Sequence, residues 1–241
     1  MKINIYQGTQ NKLPYANVNI IIDVIRAFTV SFYAFCSNVN KIQLVDSVDR
    51  ALEFKKKSEK YILSGETLGY KIKKFDYGNS PYAIANLNLE DKVLIQKTTN
   101  GVVATLNSLD ADNIFVTGFV NYSSIIEKVR ELILSYKSDE FIINIIASHP
   151  TGDDDLACAE LFKNILLNES LDIKSSEEKT ISRILNSNAS QKFLDDANQD
   201  FSILDLVLCI NPIQSDFIMS VKDVKDGLPI IYKEEKNVKF T

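Results

Sequence analysis

Short runs of apolar, largely β-branched residues recur along residues 18–167, each closed by a few polar residues and most followed by a segment with helical spacing. That alternation constrains the fold more than any other feature. Successive strands joined through helices are the pattern of a largely parallel sheet, because parallel neighbours need a long crossover and both sheet faces must then be covered. The runs lie at 18–24, 41–45, 61–63, 92–97, 113–117 and 141–147. Helical spacing follows at about 27–35 (Ala27, Val30, Ser31, Ala34 and Phe35 on one face), from a Ser47 cap to Lys57, and over 102–109, 122–136 and 153–167. Residues 66–90 lack periodicity and are expected to be ordered loop. Helical patterns return at about 177–186 and 189–197, residues 203–210 fit either a buried strand or a helix, and 216–221 and 228–233 read as closing strands. The expected fold class is α/β, a three-layer α/β/α arrangement with a mostly parallel or mixed sheet. It is read as a single domain over residues 1–241, with room for a change of subdomain near 86–92.

Composition narrows the function. Lys and Arg total 27 against 32 Asp and Glu, a net charge of −5, which gives no footprint for nucleic acid. No run of 18 apolar residues spans a membrane, and the N-terminus lacks a signal-peptide core, so a cytoplasmic protein is expected. Cys36, Cys158 and Cys209 lie far apart in apolar stretches and read as buried free thiols; with one histidine, His149, a multi-His zinc site is excluded. Glycine is scarce. Only eight occur where about 17 are usual at ~7%, and five of them, Gly65, Gly69, Gly78, Gly101 and Gly118, fall within residues 65–118. A chain so sparing with glycine keeps it where the backbone has no alternative.

Ligands of open α/β sheets collect beyond the carboxyl ends of the strands. There this chain places Asp23, Arg26 and Thr29; Gly65 and Glu66; Thr98, Thr99, Asn100 and Gly101; Gly118 and Asn121; and Asp153, Asp154 and Asp155. An oxygen-rich, imidazole-poor set of this kind suits a hard cation such as Mg²⁺ and a phosphate-bearing ligand. Each member has a plainer alternative. Asp23 with Arg26 is either an N-cap with a local ion pair or a metal ligand beside a phosphate-binding arginine. The Thr98–Gly101 segment is either an ordinary Asn-Gly turn or a phosphate cradle. The aspartate triplet either caps a helix or holds a cation. His149 is either a structural loop residue or a general acid. No nucleophile elbow, dinucleotide fingerprint or Walker loop is present.

Taken together, five blocks resemble the 2-phosphosulfolactate phosphatase (ComB) family. These are Asp23-Val24-Ile25-Arg26-Ala27-Phe28-Thr29; Gly65-Glu66-Thr67-Leu68-Gly69 with Phe75-Asp76-Tyr77-Gly78-Asn79-Ser80-Pro81; Thr98-Thr99-Asn100-Gly101; Gly118-Phe119-Val120-Asn121; and Asp154-Asp155-Leu156-Ala157-Cys158-Ala159. The chain departs from the family pattern at Asp154, where a glutamate is usual, and at Glu160, where a glycine is usual. It departs again at Ala147-Ser148-His149-Pro150 and at Phe28-Thr29-Val30. The resemblance implies a Mg²⁺-dependent phosphoric monoester hydrolase that removes phosphate from 2-phospho-3-sulfolactate, on a coenzyme M biosynthetic route. Asp23, Arg26, Glu66, Asp76 and Asp155 are the expected catalytic residues, and Asp23, Asp154 and Asp155 the expected metal ligands. Thr29, Asn79, Ser80, Thr98, Thr99, Asn100, Gly101 and Asn121 are the expected substrate contacts. The partners expected are a small anionic phosphorylated substrate and, in a homodimer, a second copy of the chain, with no nucleic acid and no membrane. Two rivals stand beside this reading, a phosphatase for another metabolite and a non-catalytic anion-binding homologue.

Overall fold

A computed structural model of the protein describes residues 1–8, 11–137, 140–194, 198 and 200–236. Along the chain run β1 (Lys2–Gln7), β2 (Ala16–Ile22), α1 (Ala27–Cys36), β3 (Lys41–Leu44), α2 (Val48–Lys57), β4 (Tyr61–Thr67), β5 (Tyr70–Lys71), α3 (Pro81–Ala85), β6 (Val93–Lys97) and α4 (Gly101–Leu106). Then come β7 (Ala111–Thr117), α5 (Tyr122–Ser135), β8 (Ile142–Ala147), α6 (Asp153–Leu167), α7 (Ile173–Asn186), α8 (Asn188–Gln191) with a 3₁₀ turn at Lys192–Leu194, α9 (Ile203–Cys209), β9 (Phe217–Lys225) and β10 (Leu228–Glu235).

The strands form one ten-stranded mixed sheet in the order β1-β8-β2-β7-β9-β10-β3-β6-β4-β5. β1, β8, β2 and β7 are mutually parallel, as are β3, β6 and β4. The antiparallel hairpin β9–β10 lies between these two groups. Strand alternation sorts the core: Val18, Ile20 and Ile22 of β2 pack with α5 and α6, whereas Ile21 packs on the opposite face with α1, α3 and α4. Helices thus cover both faces, giving the three-layer α/β/α fold expected.

Several differences from the sequence reading have local physical reasons. The segment Lys2–Gln7 is a strand that the absence of a continuous apolar run concealed; it is a half-buried edge strand. Helix α1 is buried from Ala27 through Phe35 on every face, not one, because it is enclosed on all sides. Residues 66–90 contain a short strand, β5, and the helix α3, whose first turn Ser80 caps by accepting from Ala83 N. Residues 203–210 resolve as helix, capped by Ser202. Helix α7 begins at Ile173, four residues ahead of the helical pattern read from 177, started by the Asp172 cap. The end of the helical pattern at 195–197 lies outside the described residues. Cys158 and Cys209 are buried as expected, but Cys36, at the last turn of α1, is exposed.

Polar side chains inside the sheet fix its register. Asn4 donates to Asn144 (2.9 Å), Asn144 to Asn19 (3.1 Å), and Asn19 to the carbonyl of Ser108 (2.7 Å). A slip of one residue would leave these buried amides unpaired.

Candidate active site

The carboxyl ends of β2 and β8 from one parallel group, and of β4 and β6 from the other, meet at the amino end of α1. There they border a cleft of about 320 Å³. Asp23, at the end of β2, is buried; its Oδ1 accepts from Ala27 N (2.9 Å), and its carboxylate also accepts from Ser148 Oγ (3.1 Å, at Oδ2) and Gly101 N. Asp23 thus satisfies the first amide of α1 while lining the cleft, but the local ion pair is not formed, since Arg26 pairs with Asp205. Gly101 is required here because a Cβ would stand 2.8 Å from Asp23 Oδ2.

Asp155 accepts from Val24 N (2.8 Å) through Oδ1, and from Ser148 Oγ and His149 N (both 3.0 Å) through Oδ2. The Ser148 hydroxyl carries one proton between two carboxylates, so it donates to only one of Asp23 and Asp155 at a time. Burial and mutual repulsion act in the same direction. Asp155 is held well above the usual carboxylate range, chiefly by desolvation, then by Asp154 and Asp23. Burial lifts Asp23 to about 6, against the hydrogen bonds it receives. Asp154, desolvated and facing Asp23, rises to about 7, and among the described residues its buried Oδ1 has no hydrogen-bond partner.

Glu66 pins two loops together. Its Oε1 accepts from Thr99 N (2.5 Å), and its Oε2 from Gly69 N (2.6 Å) and Thr99 Oγ1 (3.1 Å). Two N–H groups of the Thr98–Gly101 turn are spent on the protein, Thr99 N on Glu66 and Gly101 N on Asp23, and the next, Val102 N, on Thr98 Oγ1. This corrects the expectation of a free backbone cradle. Thr98, Thr99 and Asn100 do border the cleft, and the Asn100 side chain makes no capping bond. Asn79 borders it as well, with a buried, unpartnered Oδ1.

Arg26 reaches the cleft from a buried position. It pairs with Asp205 (2.8 Å) and donates to the carbonyls of Asp200 (2.7 Å) and Gly69 (3.0 Å), between the rings of Phe193 and Phe201, each 5.1 Å away. Among the described residues these three bonds leave two of the five guanidinium N–H groups without a partner. The Ile25–Arg26 peptide is cis. Asp205 also accepts from Ser80 Oγ (2.6 Å) and Tyr82 N (3.0 Å).

Gly101, whose N–H goes to Asp23, and four further expected residues are not at the cleft. Asp76 accepts from Lys55 Nζ and Leu63 N, both 2.8 Å, and so ties α2 to β4. Ser80 is engaged by Asp205 as above. Thr29 donates to the Val24 carbonyl (2.8 Å) beneath Gly118, where a Cβ would come within 2.5 Å of its Oγ1. Asn121 accepts from Thr117 Oγ1 (3.0 Å) inside the fold. Compactness explains all four: in a tight strand-to-helix turn some polar side chains must brace the backbone that presents the others. Glu160, at the family's glycine position, also points elsewhere. It and Asp153 clamp Arg183 of α7, both at 2.5 Å.

Reading the sequence missed Ser148, Asp205, Lys192, Phe193 and Phe201. Asp205 had a signal, a lone carboxylate in the apolar run 203–209, where an unpaired charge would be costly. His149 borders the cleft, and its Nδ1 accepts from Thr151 N (3.2 Å), which leaves the proton of the neutral ring on Nε2. Burial, aided by Lys192, lowers its pKa.

Among the described residues no three His, Cys, Asp or Glu side chains form a ready metal cage. A Mg²⁺ ion does not require one, since it keeps several waters and is held by one or two carboxylates. The unpartnered Asp154 Oδ1, with Asp23 opposite, fits that demand, as does the excess of buried negative charge.

The family model described as 2-phosphosulpholactate phosphatase matches residues 3–223. The chain belongs to this family. Among its relatives in the 2-phosphosulpholactate phosphatase family, a protein of Bacillus subtilis (strain 168) is 45% identical over 94% of this chain and 96% of its own length. One from Clostridium novyi (strain NT) is 36% identical over 58% of each chain, and one from Clostridium tetani (strain Massachusetts / E88) is 28% identical over 87% and 90%. All three are described as probable 2-phosphosulfolactate phosphatases.

Proposed function

We propose that this chain hydrolyses a phosphate monoester of a small acid, 2-phospho-3-sulfolactate in the first instance, giving 3-sulfolactate and phosphate with Mg²⁺ as cofactor. The observation that carries the reading is the meeting of Asp23, Asp154 and Asp155 with Arg26 at one cleft, in a chain of this family. Asp23 and Asp154 would hold the ion. When bound, it supplies positive charge that offsets the phosphoryl oxygens and lowers the pKa of a bound water.

The chain's own groups do the rest. The two uncommitted N–H groups of Arg26 receive phosphoryl oxygens, and the amides of Asn79 and Asn100 orient the ester. Glu66 does not touch the reaction; it fixes Thr99 and so the loop that carries Asn100. Ser148, between Asp23 and Asp155, orients both carboxylates toward the cleft.

Phosphate release with and without Mg²⁺ should be measured on 2-phospho-3-sulfolactate, phospholactate and phosphoglycerate. Release from the first, abolished by chelation, is the expected result. Preference for another ester would replace the substrate, and no release from any of them would refute a phosphatase.

A further inference from the structure

Arg26 is a buried cation of the cleft, but its charge is already answered by Asp205, and Asp23, Glu66, Asp154 and Asp155 all border the same space. A substrate with a phosphate and a second acidic group needs positive charge elsewhere. Lys192 supplies it. It lies on the 3₁₀ turn after α8, borders the cleft, and among the described residues has no carboxylate within ion-pair distance. The adjacent Phe193 is buried against the Arg26 guanidinium, which anchors the turn to the site floor. The Lys192 ammonium stands 5.7 Å from the Phe201 ring and 3.9 Å from where a Cβ of Gly69 would be, so it spans the cleft mouth from the helical side to the 66–69 loop.

We propose that Lys192 is a specificity-determining residue that holds the carboxylate or sulfonate the reaction leaves untouched. Its flexible stem and compact charge accept either group, whereas a guanidinium would favour planar, bidentate partners. The proposal rests on the phosphatase reading only for which end of the ligand is the phosphate.

Two measurements separate the proposal from that reading. In steady-state kinetics, Lys192→Met should raise KM for an acid-bearing phosphate monoester by roughly ten- to hundredfold, the usual range for a charge-assisted hydrogen bond, with kcat changed by less than about threefold. An aryl phosphate with no second acid should keep its KM within about twofold, and Lys192→Arg should recover part of the loss. Calorimetric titration of 3-sulfolactate into the Mg²⁺-loaded protein, which needs no turnover, should show the same weakening for Lys192→Met. Unchanged thermal melting will establish that this rim variant is folded. An equal change on both substrates, no change on either, or wild-type protein that fails to bind 3-sulfolactate would overturn the proposal. Lys192-dependent binding without phosphate release from any ester would instead overturn the phosphatase reading and leave the acid site standing.

Discussion

Replacing Asp23 with asparagine should make the metal-free protein more stable at pH 8 while disabling it. Asp23 has a folded pKa of about 6 against an ordinary 3.8, raised by burial. Between those values the folded state binds more protons than the unfolded chain, so stability falls as pH rises from about 4 to about 6 and stays reduced above that. Two pKa units correspond to about 3 kcal/mol. Asparagine removes that penalty and the repulsion that Asp23 exerts on Asp154 and Asp155. It can still accept from Ala27 N, but its NH₂ would face the Gly101 or Ser148 donor, which returns about 1–2 kcal/mol. A net gain of about 1–2 kcal/mol remains, or roughly 2–8 °C in Tm for a domain of this size. Thermal melts in chelator at pH 4 and pH 8 test this: the gain should appear at pH 8 and vanish at pH 4. Phosphate release should fall by roughly a hundredfold or more. Equal or lower stability at pH 8, or the same difference at both pH values, would refute the account of Asp23 as a stressed buried charge.

Asp205→Asn leaves the buried Arg26 guanidinium without its counter-charge and should lower unfolding stability in urea by about 3–5 kcal/mol; a loss under 1 kcal/mol would mean that Phe193, Phe201 and the carbonyls suffice. Asp76→Asn, in contrast, should leave kcat within about twofold of wild type, since Asp76 contacts Lys55 and Leu63 rather than the cleft. A large fall in kcat with unchanged melting would place it back in the chemistry.

What was legible in the sequence was what is local. The Ser47 cap, the start of α6 at Asp153 and the β–α alternation have signatures within a few residues, because periodicity and capping act over one or two turns. Asp23 at a strand end, and Asp154 and Asp155 at a helix start, were legible as cleft-lining carboxylates for the same reason. The partner of Arg26 lies 179 residues away at Asp205, and no local pattern announces a pair that distant. The phosphate cradle was misjudged because a turn with donor N–H groups looks alike whether its acceptor is a ligand or, as here, Glu66. Asp76 and Ser80 share a motif with Asn79, and only the fold distinguishes the member that faces the cleft from those that brace it.

The β9–β10 hairpin has a consequence for synthesis. Translation produces every other strand before Phe217–Glu235, so for most of the chain's time on the ribosome the two parallel groups exist without the piece that joins them into one sheet. Asp23 and Asp155 belong to one group, Glu66 and Thr99 to the other, and Asp205 reaches Arg26 from α9, shortly before the hairpin. The cleft, lined from both groups and completed around Arg26 by Asp205, is therefore a late product of vectorial folding. Asp23, Asp154 and Asp155 come from the first group alone and can meet early, but the wall that Glu66 and Thr99 add to them waits for the joining hairpin.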